Sequence, residues 1–123
     1  MVVDSVKNQL IFMTIEQGDI FLADLNPVKG HEQAGFRPVL IMQNDILNKN
    51  LNTVIIAPIT SNLKAKGKLT TYFLPKNKSK LDKDSVILIF QIRTIDKNRL
   101  QNKISKIAND DFLKIKRQFK FIF

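Results

Sequence analysis

Eight residues, Gly30 to Arg37, hold the only histidine of the chain, a glutamate and an arginine: His31, Glu32 and Arg37, in a loop bounded by Gly30 and Gly35. The arginine side chain is a planar, permanently charged fork. Because a guanidinium keeps its proton, it is a poor proton shuttle and a good clamp for an anion. Glu32 can accept a proton if its pKa is raised, or it can orient Arg37. A histidine side chain can take up or release a proton near neutrality, although a single loop histidine such as His31 is as a rule an exposed bystander. A plain ion pair of Arg37 with Asp24 or Glu32 is the structural use of the same residues. Zero Cys removes disulfides, thiolate nucleophiles and Cys-containing zinc sites, and one His leaves no histidine cluster for a metal. An enzyme of this composition is expected to work with no metal and no cofactor.

Short apolar segments must position those residues. Ile20–Leu25 has strand length after the Gly18-Asp19 turn signal, and Asn26-Pro27 stops it. The polar, glycine-containing stretch 28–36 reads as a loop, and strand two follows over Arg37–Asn44. Its core Val39-Leu40-Ile41-Met42 is continuous and not alternating, which predicts burial on both faces. Residues 45–52 are Asn-rich and read as a loop or one helical turn. Thr53–Ile59 is strand three, where Pro58 predicts a strand end or an edge. Strand four is Thr70–Leu74 and strand five is Ser85–Ile92, with a Lys-rich solvated turn before it over residues 75–83. Residues 96–101 read as one helical turn, and 102–107 alternate too weakly for an assignment. Asn109 is a good N-cap, and Phe112, Ile115, Phe119 and Ile122 recur at helical spacing, which predicts an amphipathic C-terminal helix. Residues 1–13 have no clear period and are expected to form a loose extension to one domain spanning 14–123. Short strands with frequent turns and one terminal helix indicate a mainly β fold, a small, strongly bent antiparallel sheet or open barrel.

Leu, Ile, Val and Phe make up 45 of the 123 residues, far above the roughly 20% below which a chain reads as disordered. The longest apolar run, Val86–Phe90, is five residues, and a membrane span needs about 20. Leu10–Met13 is too short for a signal-peptide core, so a cytoplasmic protein is expected. The net charge of +9 is uneven: residues 1–60 carry four Lys/Arg and six Asp/Glu, residues 61–123 sixteen and five. That balance favours an anionic partner, either a nucleic acid or an acidic protein segment.

The blocks Gly18-Asp19-Ile20-Phe21, Gly30-His31-Glu32-Gln33-Ala34-Gly35 and Arg37-Pro38-Val39, followed by Ile59-Thr60 and the run Asp84–Asp96, stand in the order found in the MazF/PemK toxin endoribonucleases. The chain resembles that family over about residues 16–108. The resemblance implies an SH3-like barrel that forms a homodimer, cuts single-stranded RNA at short sequences and is silenced by an acidic antitoxin. It also implies that Arg37 and Thr60 are catalytic: the neighbouring 2′-hydroxyl attacks the phosphate, Arg37 neutralises the growing charge and Thr60 donates a hydrogen bond. Glu32 and His31 are then catalytic or orienting candidates, and some family members have His where this chain has Phe36. For RNA binding the candidates are Phe36, which can stack on a base, Lys64 and Lys66 after Thr60, and Gln91 and Arg93. Those last two occupy alternate positions of strand five and are expected on one face. Two other readings use the same fold: a gyrase-poison-like toxin that acts by protein binding, and a non-catalytic nucleic-acid-binding barrel. Neither needs Arg37 together with Thr60.

Overall fold

Val39, Leu40 and Ile41 are fully buried and Met42 nearly so, as expected of a strand covered on both faces. The computed structural model describes residues 15–26, 30 and 35–123; the extension 1–13, His31 and Glu32 lie outside the described residues. Seven strands form the sheet: β1 (Asp19–Asp24), β2 (Phe36–Ile41), β3 (Thr53–Thr60), β4 (Thr71–Leu74), β5 (Ser85–Leu88), β6 (Arg93–Asp96) and β7 (Leu100–Lys106). Among the described residues the α-helices are α1 (Asp45–Asn50), α2 (Lys76–Ser79) and α3 (Asn109–Gln118). All pairings are antiparallel, in the order β4-β5-β3-β2-β1-β7 with β6 also on β3, and the sheet is not closed.

Alternation along the strands sorts the apolar residues into two cores. Phe21, Ala23, Val39, Ile41, Val54, Ile56 and Ile95 fill the concave interior. Ile20, Leu40, Ala57, Ile59 and Ile87 face the other way and are covered by Phe112 and Ile115 of α3. Full burial of a side chain such as Ile115 stabilises by roughly 1.5–3 kcal/mol.

Four sequence readings need correction. Strand five is not continuous: β5 ends at Leu88, Ile89–Gln91 forms a 3-10 turn, and β6 resumes at Arg93. This bend lets one apolar run pair twice with β3, at Ile59–Thr60 and again at Thr53–Ile56. Pro58 sits in neither a strand end nor an edge; β3 is central. On that side of β3, however, pairing with β6 stops at Ile56 and with β5 starts at Ile59, so Pro58 falls in the break. Residues 102–107, too weakly alternating to assign, lie largely in β7, which also takes in Leu100 and Gln101 from the stretch read as a helical turn, because β1 supplies a partner from Lys106 back to Leu100, with two register shifts. Asn109 is the first helical residue and not the N-cap, which is Ala108 without a side-chain hydrogen bond.

The helix is instead held by Asp111 in its first turn. The Tyr72 hydroxyl donates to Asp111 Oδ1 at 2.5 Å, and Lys78 Nζ lies 3.5 Å from the same buried oxygen. Burial, then the hydrogen bond to Asp111, then the charges of Asp111 and Asp110 push the Tyr72 pKa up. Because the folded value lies above the unfolded one, the contribution is complete below about pH 10 and is lost as pH rises through the folded value. Tyr72→Phe should therefore cost about 1–3 kcal/mol in urea unfolding at neutral pH. The difference between variant and wild type should shrink above pH 10; a difference constant to pH 11 would refute this account of the helix anchor.

Candidate active site

The chain is clamped where it leaves β1 and re-enters β2. Leu25 N donates to Gly35 O at 3.0 Å, Gly35 N to Asn26 Oδ1 at 3.0 Å, and Asn26 N to Asp24 Oδ1 at 3.0 Å. The Arg99 guanidinium adds two more bonds, to the carbonyl of Asp24 at 3.3 Å and to that of Asn26. Gly35 has φ +78°, a left-handed conformation that side chains with a Cβ seldom adopt, and the turn into β2 depends on it. Phe36 and Arg37 are thus delivered from a fixed base. Asn26 and Arg99 were not singled out from the sequence; Asn26 carried a signal as a turn residue that caps its own loop.

Arg37 pairs across β1 with Ala23. On its other side the last β2–β3 pair is Val39 with Pro58, and Arg37 and Thr60 each lie two residues beyond that pair on their own strands. Ala23, Val39 and Ile56 all face the concave interior, so alternation puts Arg37 and Thr60 on that face too, at the mouth where β2 begins and β3 ends. Arg37 is half-buried. Thr60 is buried, and its Oγ1 accepts from Asn62 N at 3.1 Å, which leaves the hydroxyl hydrogen to donate elsewhere. A permanent cation and a hydroxyl donor on one face of adjacent strands can stabilise an anion that gains charge during a reaction.

A concavity of about 300 Å³ opens beside Arg37. Its walls include Phe36, Ile59 and Ser61 and, from the Lys-rich turn, Leu81, Asp82 and Lys83. Thr60 itself lies outside that wall. The turn is more than the solvated segment its composition predicts. Lys76 N donates to Asp84 Oδ1 at 2.9 Å, Leu81 N to Ser79 Oγ at 3.0 Å, and the Ser105 hydroxyl to the carbonyl of buried Ser79. Lys80 ends α2 at φ +62°, which swings residues 81–83 toward the concavity.

The other expected contacts are more dispersed. Phe36 is 63% exposed at the mouth. Lys64 and Lys66 are exposed around the 3-10 turn Leu63–Ala65, and Lys66 Nζ sits 4.0 Å over the Phe73 ring. Neither lines the concavity. Gln91 and Arg93 do not share a strand face, because Gln91 belongs to the turn that breaks the run. Arg93 pairs with Ile56, four residues before Thr60 on β3, so it lies about 13 Å along the strand from Thr60 at roughly 3.3 Å per residue. Among the described residues no group of three or more His, Asp or Glu could hold a metal ion. No described helix is long and apolar enough to cross a membrane.

The family profile of PemK-like, MazF-like toxins of type II toxin-antitoxin systems matches residues 16–123. A relative named Endoribonuclease MazF, from Staphylococcus saprophyticus, is 53% identical over 96 residues, 77% of this chain and 79% of that protein. Among solved structures, MazF from Deinococcus radiodurans superposes with a TM-score of 0.75 at 23% identity, covering 88% of this chain and 94% of that one. A mycobacterial endoribonuclease in complex with its cognate antitoxin gives 0.73 at 17% identity, covering 89% and 94%. At those identities the two structures speak to the fold.

The Nη1 of Arg93 on β6 is buried and meets no hydrogen-bond partner among the described residues. A buried donor without an acceptor costs about 1–3 kcal/mol, so Arg93→Met, similar in length and apolar, should leave the melting temperature unchanged or raise it. A destabilisation of more than about 2 kcal/mol in chemical unfolding would mean that Arg93 holds the fold together.

Proposed function

We propose that this chain, which belongs to the PemK-like, MazF-like toxins of type II toxin-antitoxin systems, is an endoribonuclease that cuts single-stranded RNA at short sequences. The observation that carries this reading is the 53% identity to a protein named Endoribonuclease MazF. The same identity disfavours a gyrase poison or a non-catalytic barrel.

The reaction suited to these residues uses the nucleophile that RNA brings with it. The 2′-oxygen bonds to the adjacent phosphorus while the bond from phosphorus to the 5′-oxygen breaks. The 2′-hydroxyl proton leaves to a base and the departing 5′-oxygen gains one. The ends are a 2′,3′-cyclic phosphate and a 5′-hydroxyl. No metal is required to generate the nucleophile; the enzyme has to impose in-line geometry and neutralise charge on the phosphoryl oxygens. Arg37 supplies that charge from the strand start, and the Thr60 hydroxyl donates to a phosphoryl oxygen. Glu32 orients Arg37 or accepts the proton, with His31 as the second candidate. Phe36, Lys64, Lys66, Gln91 and Arg93 hold the remainder of the strand.

Two protein partners complete the reading. A second copy of the chain covers exposed apolar surface near its C-terminal end, where Leu113, Phe121 and Phe123 stand out from the body and Phe123 is 87% exposed. An acidic antitoxin segment competes with RNA for the same positive field. The protein acts in the cytoplasm, where messenger RNA is found.

Incubation with a long single-stranded RNA in excess EDTA should yield fragments with 5′-hydroxyl and 2′,3′-cyclic phosphate ends. Inhibition by EDTA, or 5′-phosphate products, would exclude the mechanism. Arg37→Ala should lower the cleavage rate by about 10²- to 10³-fold, and Thr60→Val comparably or somewhat less. A folded Arg37→Ala protein that cuts at the wild-type rate would defeat the assignment. In solution the chain should sediment as a dimer at micromolar concentration; a monomer there would remove the second copy from the picture.

A further inference from the structure

Helix α1 inverts the usual amphipathic pattern of a surface helix, in which the apolar side faces the core. Its buried residue is Asn48, whose Nδ2 donates to Gln43 O at 2.9 Å and whose Oδ1 accepts from Gln43 Nε2 at 3.0 Å, while its carbonyl takes the Lys97 ammonium. The outer side carries Ile46, which is 74% exposed, and Leu47, with Leu51 at the C-cap; both leucines are exposed as well. Leu47 and Leu51 stand one turn apart and Ile46 adjoins Leu47, so the three make one patch and not scattered single residues. The helix cannot roll to bury them. Asn48 is bonded on its inner side, and Asn44 Oδ1 accepts from Leu47 N at 3.0 Å and fixes the first turn.

The N-terminal part of the chain is tied to this same helix. Ile15, the first described residue, is buried in the interior core. Gln17 N donates to Asp45 Oδ1 at 2.7 Å, at the first residue of α1, and Gln17 Nε2 donates to Met42 O at 3.0 Å. Residues 1–14 precede this anchor and hold the apolar stretch Leu10–Met13. Met13 is four residues from Gln17 and Leu10 seven, so at ~3.3 Å per residue an extended chain carries them up to ~13 and ~23 Å from the anchor. Helix α1 begins at that anchor and, with six residues, is about 9 Å long. All of the patch is within reach.

We propose that Leu10–Met13 docks across the outer side of α1 and covers Ile46, Leu47 and Leu51, which makes the extension a part of the domain in place of a loose tail. Two apolar sets that each face water alone leave it together when they meet. Because only a few residues join them, the contact is intramolecular and a small patch suffices. The same size argues against a second copy as the occupant: three side chains on so short a helix fall far below the ~800 Å² per partner that a stable pair of proteins buries. Helix α1 follows the end of β2 and precedes the start of β3, whereas Arg37 starts β2 and Thr60 ends β3. The docked segment therefore lies at the opposite end of the sheet from those two residues, and the inference does not depend on the ribonuclease reading.

The chain has no cysteine, so Asn50→Cys puts a single nitroxide on the outer side of α1, and Leu63→Cys puts one beyond the far end of β3 for comparison. In the isotope-labelled full-length chain, the nitroxide at position 50 should broaden the backbone amide signals of residues 10–13, and the one at position 63 should leave them sharp. A mixture of labelled chain without nitroxide and unlabelled chain with it reads contacts between copies only. Equal broadening in that mixture would make a second copy the occupant and overturn the proposal. Chymotrypsin cleavage after Phe12 in the folded full-length chain tracks how often the segment lifts off. Ile46→Gln and Ile11→Gln should each speed that cut about tenfold, as expected for one lost apolar contact, whereas Leu69→Gln, equally exposed and apolar but on another face, should leave it unchanged. Sharp signals for residues 10–13 with the nitroxide at position 50, or a cleavage rate indifferent to both Ile46→Gln and Ile11→Gln, overturns the docking.

Discussion

A sheet buried on both faces cannot use polarity to choose its register. In a half-exposed sheet a slip of one residue drives the apolar set into water, and that penalty fixes the pairing. Here β2 and β3 are apolar on both sides, Val39 and Ile41 against one core and Leu40 and Met42 against the other, so a slip would exchange one apolar set for another. Polar pins at the strand ends do the selecting. Between β2 and β3, Gln43 Nε2 donates to Asn48 Oδ1 and to Thr53 O at 3.0 Å each, and Asn48 Nδ2 returns to Gln43 O at 2.9 Å. Between β1 and β7, fully buried Asp19 faces Lys103 Nζ at 3.1 Å and Lys106 Nζ at 3.8 Å. Each of these groups would be left buried without its partner after a slip, at a cost of about 1–3 kcal/mol apiece, more for the charge. The placement of Arg37 on the same face as Thr60 follows from those pins, since a one-residue slip of β2 would turn the guanidinium to the opposite face.

The pins also change the meaning of the charge count. Residues 61–123 hold sixteen Lys and Arg, yet several are committed within the fold. Lys103 and Lys106 serve Asp19, Lys78 serves Asp111, and Arg99 holds the carbonyls at the end of β1. Lys97 is buried, donates to the carbonyl of Asn48, and has its pKa pushed down by loss of water. The surface field that meets an anionic strand is therefore set by the remaining cations, among them Lys64, Lys68 and Lys83, which are exposed around the mouth and its neighbouring turns.

This division explains which parts were legible in the sequence. Strands one to four and the terminal helix were readable because each announces itself locally, by an apolar run between turn residues or by helical spacing. Arg37 and Thr60 stand out through the ordered family blocks, and strand alternation puts both on one face. The bend in Ser85–Ile92 was not readable, because Val86 to Phe90 is apolar without interruption and only the need to pair twice with β3 breaks it. The face shared by Gln91 and Arg93 failed with it. The wall formed by residues 81–83 was hidden for a related reason: its Lys content marks it as solvated, while the bonds that shape it run to Ser79, Asp84 and Ser105, two of them across sequence gaps of 8 and 26 residues. Composition reports the solvent-facing side chains of a turn, and the ties that hold its backbone are long-range.

The position of Arg37 at the edge of the interior meets two demands that the proposed reaction places on a cation. In open water a guanidinium and a phosphate a few ångströms apart attract by only about 1 kcal/mol, and salt weakens that further. Deep in the core the attraction grows several-fold, but the charge loses its hydration and cannot reach a polymer outside. Half-burial at the strand start lies between these limits: Ala23 and the interior core lower the dielectric on one side, and the concavity leaves the other open to the backbone of a strand. The backbone that carries the guanidinium is already placed, because the Leu25–Gly35 bond fixes the chain two residues before it, the Arg99 bonds hold the end of β1, and the β1 ladder fixes Arg37 at Ala23. In the proposed reaction, such prior placement leaves little reorganisation to be done when charge develops on the phosphoryl oxygens.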